Sequence, residues 1–243
     1  MLPAFVSGID VEELLAGARA MDQRLKDASP ENNLAYRLAA LFYLFATAKQ
    51  RPTLVFMPYA NALSGLAEWF SHLWAANLGQ QTAGSTPVTA WGATDQHSQV
   101  QLYREGPADK LVTFLTVGKF TNNLDIPDSY PDDPAFSYLG GHSFQELLEV
   151  EQQAAASDLM QAARPNLTLH LPEINPFTIG QLIYLLEVVT VAAASLFGVK
   201  VFDQPGVEKG KQTASGLMGR PGFESFRQEF AAAPEALDKY RIT

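Results

Sequence analysis

The sequence predicts an α/β three-layer sandwich, a mostly parallel sheet flanked by helices. Three observations carry that reading. Short apolar runs stand at Thr53–Met57 and Leu111–Val117, the pattern of strands buried on both faces, and Asn166–Leu171 reads as a third strand. Segments of helical periodicity separate them, as βαβ crossovers require. The 243 residues, 47% hydrophobic and 18% charged, form an ordinary globular composition.

Each element follows from local chemistry. Residues 10–28 read as an amphipathic helix. Asp10 is its N-cap, Glu13 stands three positions on as in a capping box, and Leu14, Leu15, Ala18 and Met21 recur at helical spacing. Residues 27–33 (DASPENN) are turn chemistry. A second helix over 33–48 is richer in Leu and Phe, and Arg51-Pro52 stops it. These first 50 residues are expected to form a helical segment before a sheet domain over 51–243. The first strand lies between Pro52 and Pro58, and a helix follows over 62–76. A helix over 142–163 joins the second and third strands. The loop 119–136 is acidic and proline-rich; it reads as a surface excursion, with a lid as the alternative. The stretch 179–199 is about long enough to span a bilayer, but Glu187 at its centre argues for a core helix, paired or at a site. Met218 is expected in the core.

Composition excludes several functions. There is no cysteine, hence no disulfide, thiolate metal site or thiol nucleophile. The four histidines, His72, His97, His142 and His170, are too far apart for a H-E-x-x-H metal motif. A net charge of −9 argues against nucleic-acid binding. The N-terminal stretch has no basic region of a secretory signal, so a cytoplasmic protein off the membrane is expected. GVEKGKQ (206–212) is one residue short of a phosphate loop and has Gln212 where Ser or Thr should bind magnesium. The sequon at Asn166 has no secretion signal beside it.

Two polar clusters remain. Gly92–Gln99 (GATDQHSQ) packs polar groups between a turn and the helix that begins near Val100. It reads either as a site or as a turn satisfied by Asp95 capping that helix. Phe202–Lys211 (FDQPGVEKGK) directly follows the long apolar helix, at an end of the sheet where α/β ligands bind. Glu208 and Lys211 share a helix face there, which alone is an ordinary surface pair.

With these blocks the sequence resembles bacterial glucose-6-phosphate isomerases. The resemblance rests on GATDQHSQVQLYREGP (92–107), NLTLHLPEINPFTIGQLIYLLE (166–187), FDQPGVEKGK (202–211) and GRPGFE (219–224). It implies a sugar-isomerase (SIS) fold and interconversion of glucose 6-phosphate and fructose 6-phosphate through an enediol(ate), without metal or cofactor. It implies that His97 is the catalytic histidine, typically reaching a neighbouring subunit's site. Lys211 would assist ring opening or bind sugar oxygens, and Gln204 would face substrate, with Gln96 and Thr94 beside His97.

Two departures matter. The match corresponds to the C-terminal half of such enzymes, without the phosphate loop and the enediolate-stabilising arginine of the first SIS domain. And where the family pattern reads A-E-S-x-G-K, this chain has Ala75-Ala76-Asn77-Leu78-Gly79-Gln80. Alanine replaces the expected carboxylate base. Glu105 is the nearest other acid in a family block; it reads as a helix-end surface acid, with the base as the alternative. Two functions follow: an isomerase half acting as a homodimer or with an N-terminal SIS partner, or a non-catalytic module binding a phosphosugar or a protein. Apolar surface normally covered by the other half should make the chain associate.

Overall fold

The structure, a computed structural model, describes residues 1–80, 83–202 and 205–232. It divides into two compact units, 1–201 and 202–243. The N-terminal helices lie in the first unit, where Met21, Leu38 and Phe42 share a core cluster with the sheet.

In the first unit a short helix α1 (Leu2–Val6) precedes α2 (Val11–Arg24) and α3 (Leu34–Thr47). The Asp10 carboxylate caps α2 by accepting from Glu13 N–H at 2.9 Å. Asn33 is buried and caps α3, its Oδ1 accepting from Tyr36 N–H while its Nδ2 donates to Leu25 O and Asp27 O. The sheet is entirely parallel, in the order β2-β1-β3-β4, from β1 (Thr53–Pro58), β2 (Thr86–Thr89), β3 (Lys110–Lys119) and β4 (Asn166–Glu173). This matches the expected α/β class and adds one strand, β2, that the sequence reading lacks.

Strand alternation divides the core in two. On one face Leu54, Phe56, Leu111, Leu115 and Val117 meet Ala67, Phe70 and Trp74 of α4 (Ser64–Leu78) and Leu182, Leu186 and Val189 of α8 (Pro176–Phe197). On the other, Val55, Met57, Val112 and Phe114 meet Tyr103 of α6 (Val100–Glu105) and Ala155 and Leu159 of α7 (Phe144–Gln161). α8 is long and apolar enough to cross a membrane by composition. Here it is the central core helix, covered by α2, α3 and α4. Asn175 and Thr178 form a reciprocal capping box at its start, and Gly198, at φ 71°, ends it in the left-handed conformation that glycine adopts freely. Glu187 is exposed and makes no ion pair among the described residues, so the expected pairing is not found.

α2 crosses α8 backbone to backbone. Gly17 faces the Phe177 carbonyl and Gly180 faces the Leu14 carbonyl. Tyr184 Oη seals the crossing by donating to Asp22 Oδ1 at 2.7 Å.

The second unit holds α9 (Pro205–Leu217) and α10 (Glu224–Ala232). Gly216 lets them meet against the Phe223 carbonyl, and Arg220 lies over the Phe223 ring. Met218, expected in the core, is 88% exposed: it follows the last turn of α9, beyond the face that meets α10.

Candidate functional site

In a parallel sheet, ligands bind beyond the carboxyl ends of the strands, where successive crossovers leave in opposite directions. Here that point lies between β1 and β3, since the chain leaves β1 towards β2 and leaves β3 towards β4. A cleft of about 570 Å³ opens there. Asn61 after β1, Gly92 to Thr94 and His97 after β2, Phe120 after β3 and Ile174 after β4 line it, and α7 adds Leu148 and Glu151.

His97 lies on a helix of only five residues, α5 (Thr94–Ser98). Such a helix cannot hold itself, and its neighbours hold it. Asp95 does not cap the helix at Val100; its carboxylate accepts from Trp91 N–H at 2.7 Å and from Ser98 Oγ at 2.8 Å. Burial acts against that carboxylate, yet these bonds and Gln99 hold its pKa below the usual range. Gln96 accepts from Tyr59 Oη at 2.8 Å and donates to Glu151 Oε2. Burial, with the Glu151 charge, pushes the Tyr59 phenol well above its ordinary pKa, so Tyr59 stays a donor. Gly92 is required beside it, because a Cβ there would come within 2.3 Å of the Tyr59 ring. Asp95, Gln96 and Ser98, on either side of His97, are therefore tied. His97 itself is exposed and makes no hydrogen bond among the described residues. The result is an imidazole without a partner among the described residues, carried on a held helix at the cleft.

The structure places the other candidates as follows. Thr94 lines the cleft beside His97, and Gln96 turns inward as part of the mount. Glu105 closes α6, before β3, at the amino end of the sheet. It is paired with Arg104 and accepts from Gln101, so it does not meet His97. Lys211 belongs to the second unit, where it pairs with Glu208 at 2.9 Å. Gln204 lies outside the described residues. Ala76 is exposed in the last turn of α4, which returns the chain to the amino end of β2, away from His97. Gln80, in the expected lysine's place, donates to Lys200 O at 2.9 Å.

Tyr59 and Glu151 are absent from the sequence reading. Tyr59 directly follows a strand and reads as core. Glu151 lies on an acid-rich helix whose charges look like a solvated face; only the fold turns it to the cleft. Among the cleft's lining residues it is the one carboxylate, and none is Lys or Arg. No group of three or more His, Asp or Glu among the described residues could hold a metal.

The fold and cleft define a class: a doubly wound parallel α/β protein with a cleft at the sheet's carboxyl end that an imidazole lines. The family pattern of phosphoglucose isomerase matches residues 138–237. The chain is 43% identical over 237 residues to glucose-6-phosphate isomerase of Carboxydothermus hydrogenoformans, covering 94% of this chain and 51% of that protein. It is 44% identical over 225 residues to glucose-6-phosphate isomerase of Rubrobacter xylanophilus, covering 93% and 52%. The chain belongs to the phosphoglucose isomerase family, and it spans about half the length of the relatives it matches. A crystal structure of a hypothetical protein from Thermus thermophilus superposes with a TM-score of 0.82 at 36% identity, covering 90% of this chain and 52% of that one. A glucose-6-phosphate isomerase from Chlamydia trachomatis has the same fold, with a TM-score of 0.74 at 21% identity over 90% of this chain and 45% of that one.

Proposed function

We propose that this chain carries half of the machinery that interconverts glucose 6-phosphate and fructose 6-phosphate. The observation that supports the reading best is His97, free on its clamped helix at the sheet's carboxyl end, in a chain of this family. The His97 imidazole takes the proton of the anomeric hydroxyl and delivers one to the ring oxygen, so the C1–O5 bond breaks, the carbonyl forms and the sugar opens. A carboxylate then removes the C2 proton, the enediol(ate) forms, and the proton returns at C1. No electrons leave the substrate, and no cofactor is called for.

Glu151 is the carboxylate that shares the His97 cleft and the natural candidate for this base. Among the described residues no Lys or Arg lines that cleft, so this reading takes the phosphate anchor from a second surface. Another chain, whether a second copy or an N-terminal SIS partner, is the source this reading assigns.

A second reading rests on Ala76 and Gln80: a module that binds a phosphosugar or a protein without turnover. A coupled assay from fructose 6-phosphate to glucose 6-phosphate to NADPH separates the two. Turnover by the purified chain, lost in His97→Ala, supports the isomerase. Silence with and without an added N-terminal half, together with retained fructose 6-phosphate binding, leaves the binding module.

A further inference from the structure

Beside the His97 cleft, on the other side of Phe120 and Leu148, lies a second cavity of about 410 Å³. It separates α7 from the carboxyl-terminal halves of β3 and β4. Its walls are unusual for a helix–sheet contact. Where an apolar layer would normally close the gap, the sheet presents Thr116, Gly118, Thr168 and His170, and α7 presents Glu149 and Gln152.

Gln152 is the informative residue. It is buried, with only 7% of its surface exposed. Its Nε2 reaches Thr168 Oγ1 only at 3.5 Å, and its Oε1 accepts from no described residue. That oxygen is not sealed in protein: the one sealed, unpartnered side-chain polar atom among the described residues is Thr113 Oγ1. So Gln152 Oε1 opens on the cavity it lines. An amide oxygen that opens on a cavity, with no donor from the described residues, is an acceptor available to a ligand's hydroxyl.

The other groups have their orientation set. Thr116 Oγ1 holds His170 Nδ1 at 3.0 Å, which leaves Nε2 for another partner. Gln145 Nε2 holds Glu149 Oε1 at 2.8 Å and also donates to Gly118 O. Phe120 and Leu148 add apolar surface to the lining. No Lys or Arg lines the cavity, and Glu149 disfavours an anion.

From this arrangement we propose that the cavity binds a small uncharged polyol, a free sugar or sugar alcohol, separately from the phosphosugar chemistry assigned to His97. Hydroxyl groups can donate to Gln152 Oε1 and Glu149 and can bond Thr168 and His170 Nε2. The C–H face of the ligand lies on Phe120. The volume lies within the range of small-molecule sites.

Saturation-transfer NMR on the full chain tests this, with D-glucose, D-fructose and sorbitol as probes and fructose 6-phosphate as the charged comparator. Roughly millimolar binding is expected for a molecule of this size. Gln152→Leu should weaken it about tenfold, the worth of one buried hydrogen-bonding partner. His170→Ala, at an exposed strand position where folding is not at stake, should weaken it comparably. His97→Gln should leave neutral-probe binding unchanged, which keeps this result distinct from the fate of the isomerase reading. The proposal is overturned by no transfer from any neutral probe at roughly 50 mM, by unchanged binding in the His170 variant, or by fructose 6-phosphate competing for the same site as strongly as glucose.

Discussion

The crossing of α2 on α8 gives the sharpest stability prediction. A Cβ on Gly17 would stand 1.9 Å from the Phe177 carbonyl oxygen, and one on Gly180 would stand 2.0 Å from that of Leu14. Ordinary contact begins near 3.4 Å, so either alanine drives the helices apart by about 1.5 Å. The obstacle is backbone in both cases, which no rotamer change relieves. Overpacking of this kind costs about 1–3 kcal/mol. Against it stands the usual gain of about 0.5–1 kcal/mol when a helical glycine becomes alanine. Overpacking wins, and the parting also loosens the Tyr184–Asp22 bond. For a unit of this size each kcal/mol moves Tm by about 2–4 °C. Gly17→Ala and Gly180→Ala should therefore each lower Tm by several degrees in circular dichroism melts. Gly65→Ala in α4 is the control: nothing lies within 4 Å of its Cβ position, so Tm should hold or rise slightly. An unchanged or raised Tm in Gly17→Ala would refute the close crossing.

Three further outcomes are expected. Thr113 Oγ1 is buried without a partner among the described residues, so Thr113→Val, which keeps the shape and removes the orphan, should raise urea-unfolding stability by about 1 kcal/mol. Burial, with the Asp95 charge, pushes the Tyr103 phenol up to about 12, and Tyr59 is raised as well. Because these folded values exceed the ordinary value of 10, their contribution is complete below pH 10 and is lost as pH rises towards 12; denaturant titrations should show that fall, and Tyr103→Phe should flatten it. Tyr36, Leu44, Val191 and Leu196 leave apolar surface exposed on α3 and α8. Light scattering should report a mass above one chain, and Val191→Lys should shift it towards the monomer; a parent protein that is already monomeric denies this surface an association role.

What the sequence could tell depends on how local the signal is. Three strands were legible because 53–57 and 111–117 are apolar runs and 166–171 alternates Leu with polar residues, each long enough to show its pattern. β2 escaped because it is four residues of TPVT at a sheet edge, with a proline and little burial, and no periodicity develops over so short a span. His97 was legible through its motif. Its mount was not: Tyr59 and Glu151 stand 37 and 55 residues from Gln96, and their convergence is decided by the order in which strands join the sheet. Glu105 illustrates the converse. It is close to His97 along the chain, yet α6 carries it to the other end of the sheet.

The Tyr184–Asp22 contact spans 162 residues of chain, and this has a consequence for biosynthesis. α2 and α3 leave the ribosome well before the helix that covers them, α8, which follows about 150 residues later. At roughly 5–20 residues per second, that interval lasts on the order of 10–30 s. Throughout it Leu38 and Phe42 of α3 have no native partner on α8. The N-terminal helices must wait for nearly the whole first unit to be synthesised, which makes them a natural client surface for chaperones that hold nascent chains.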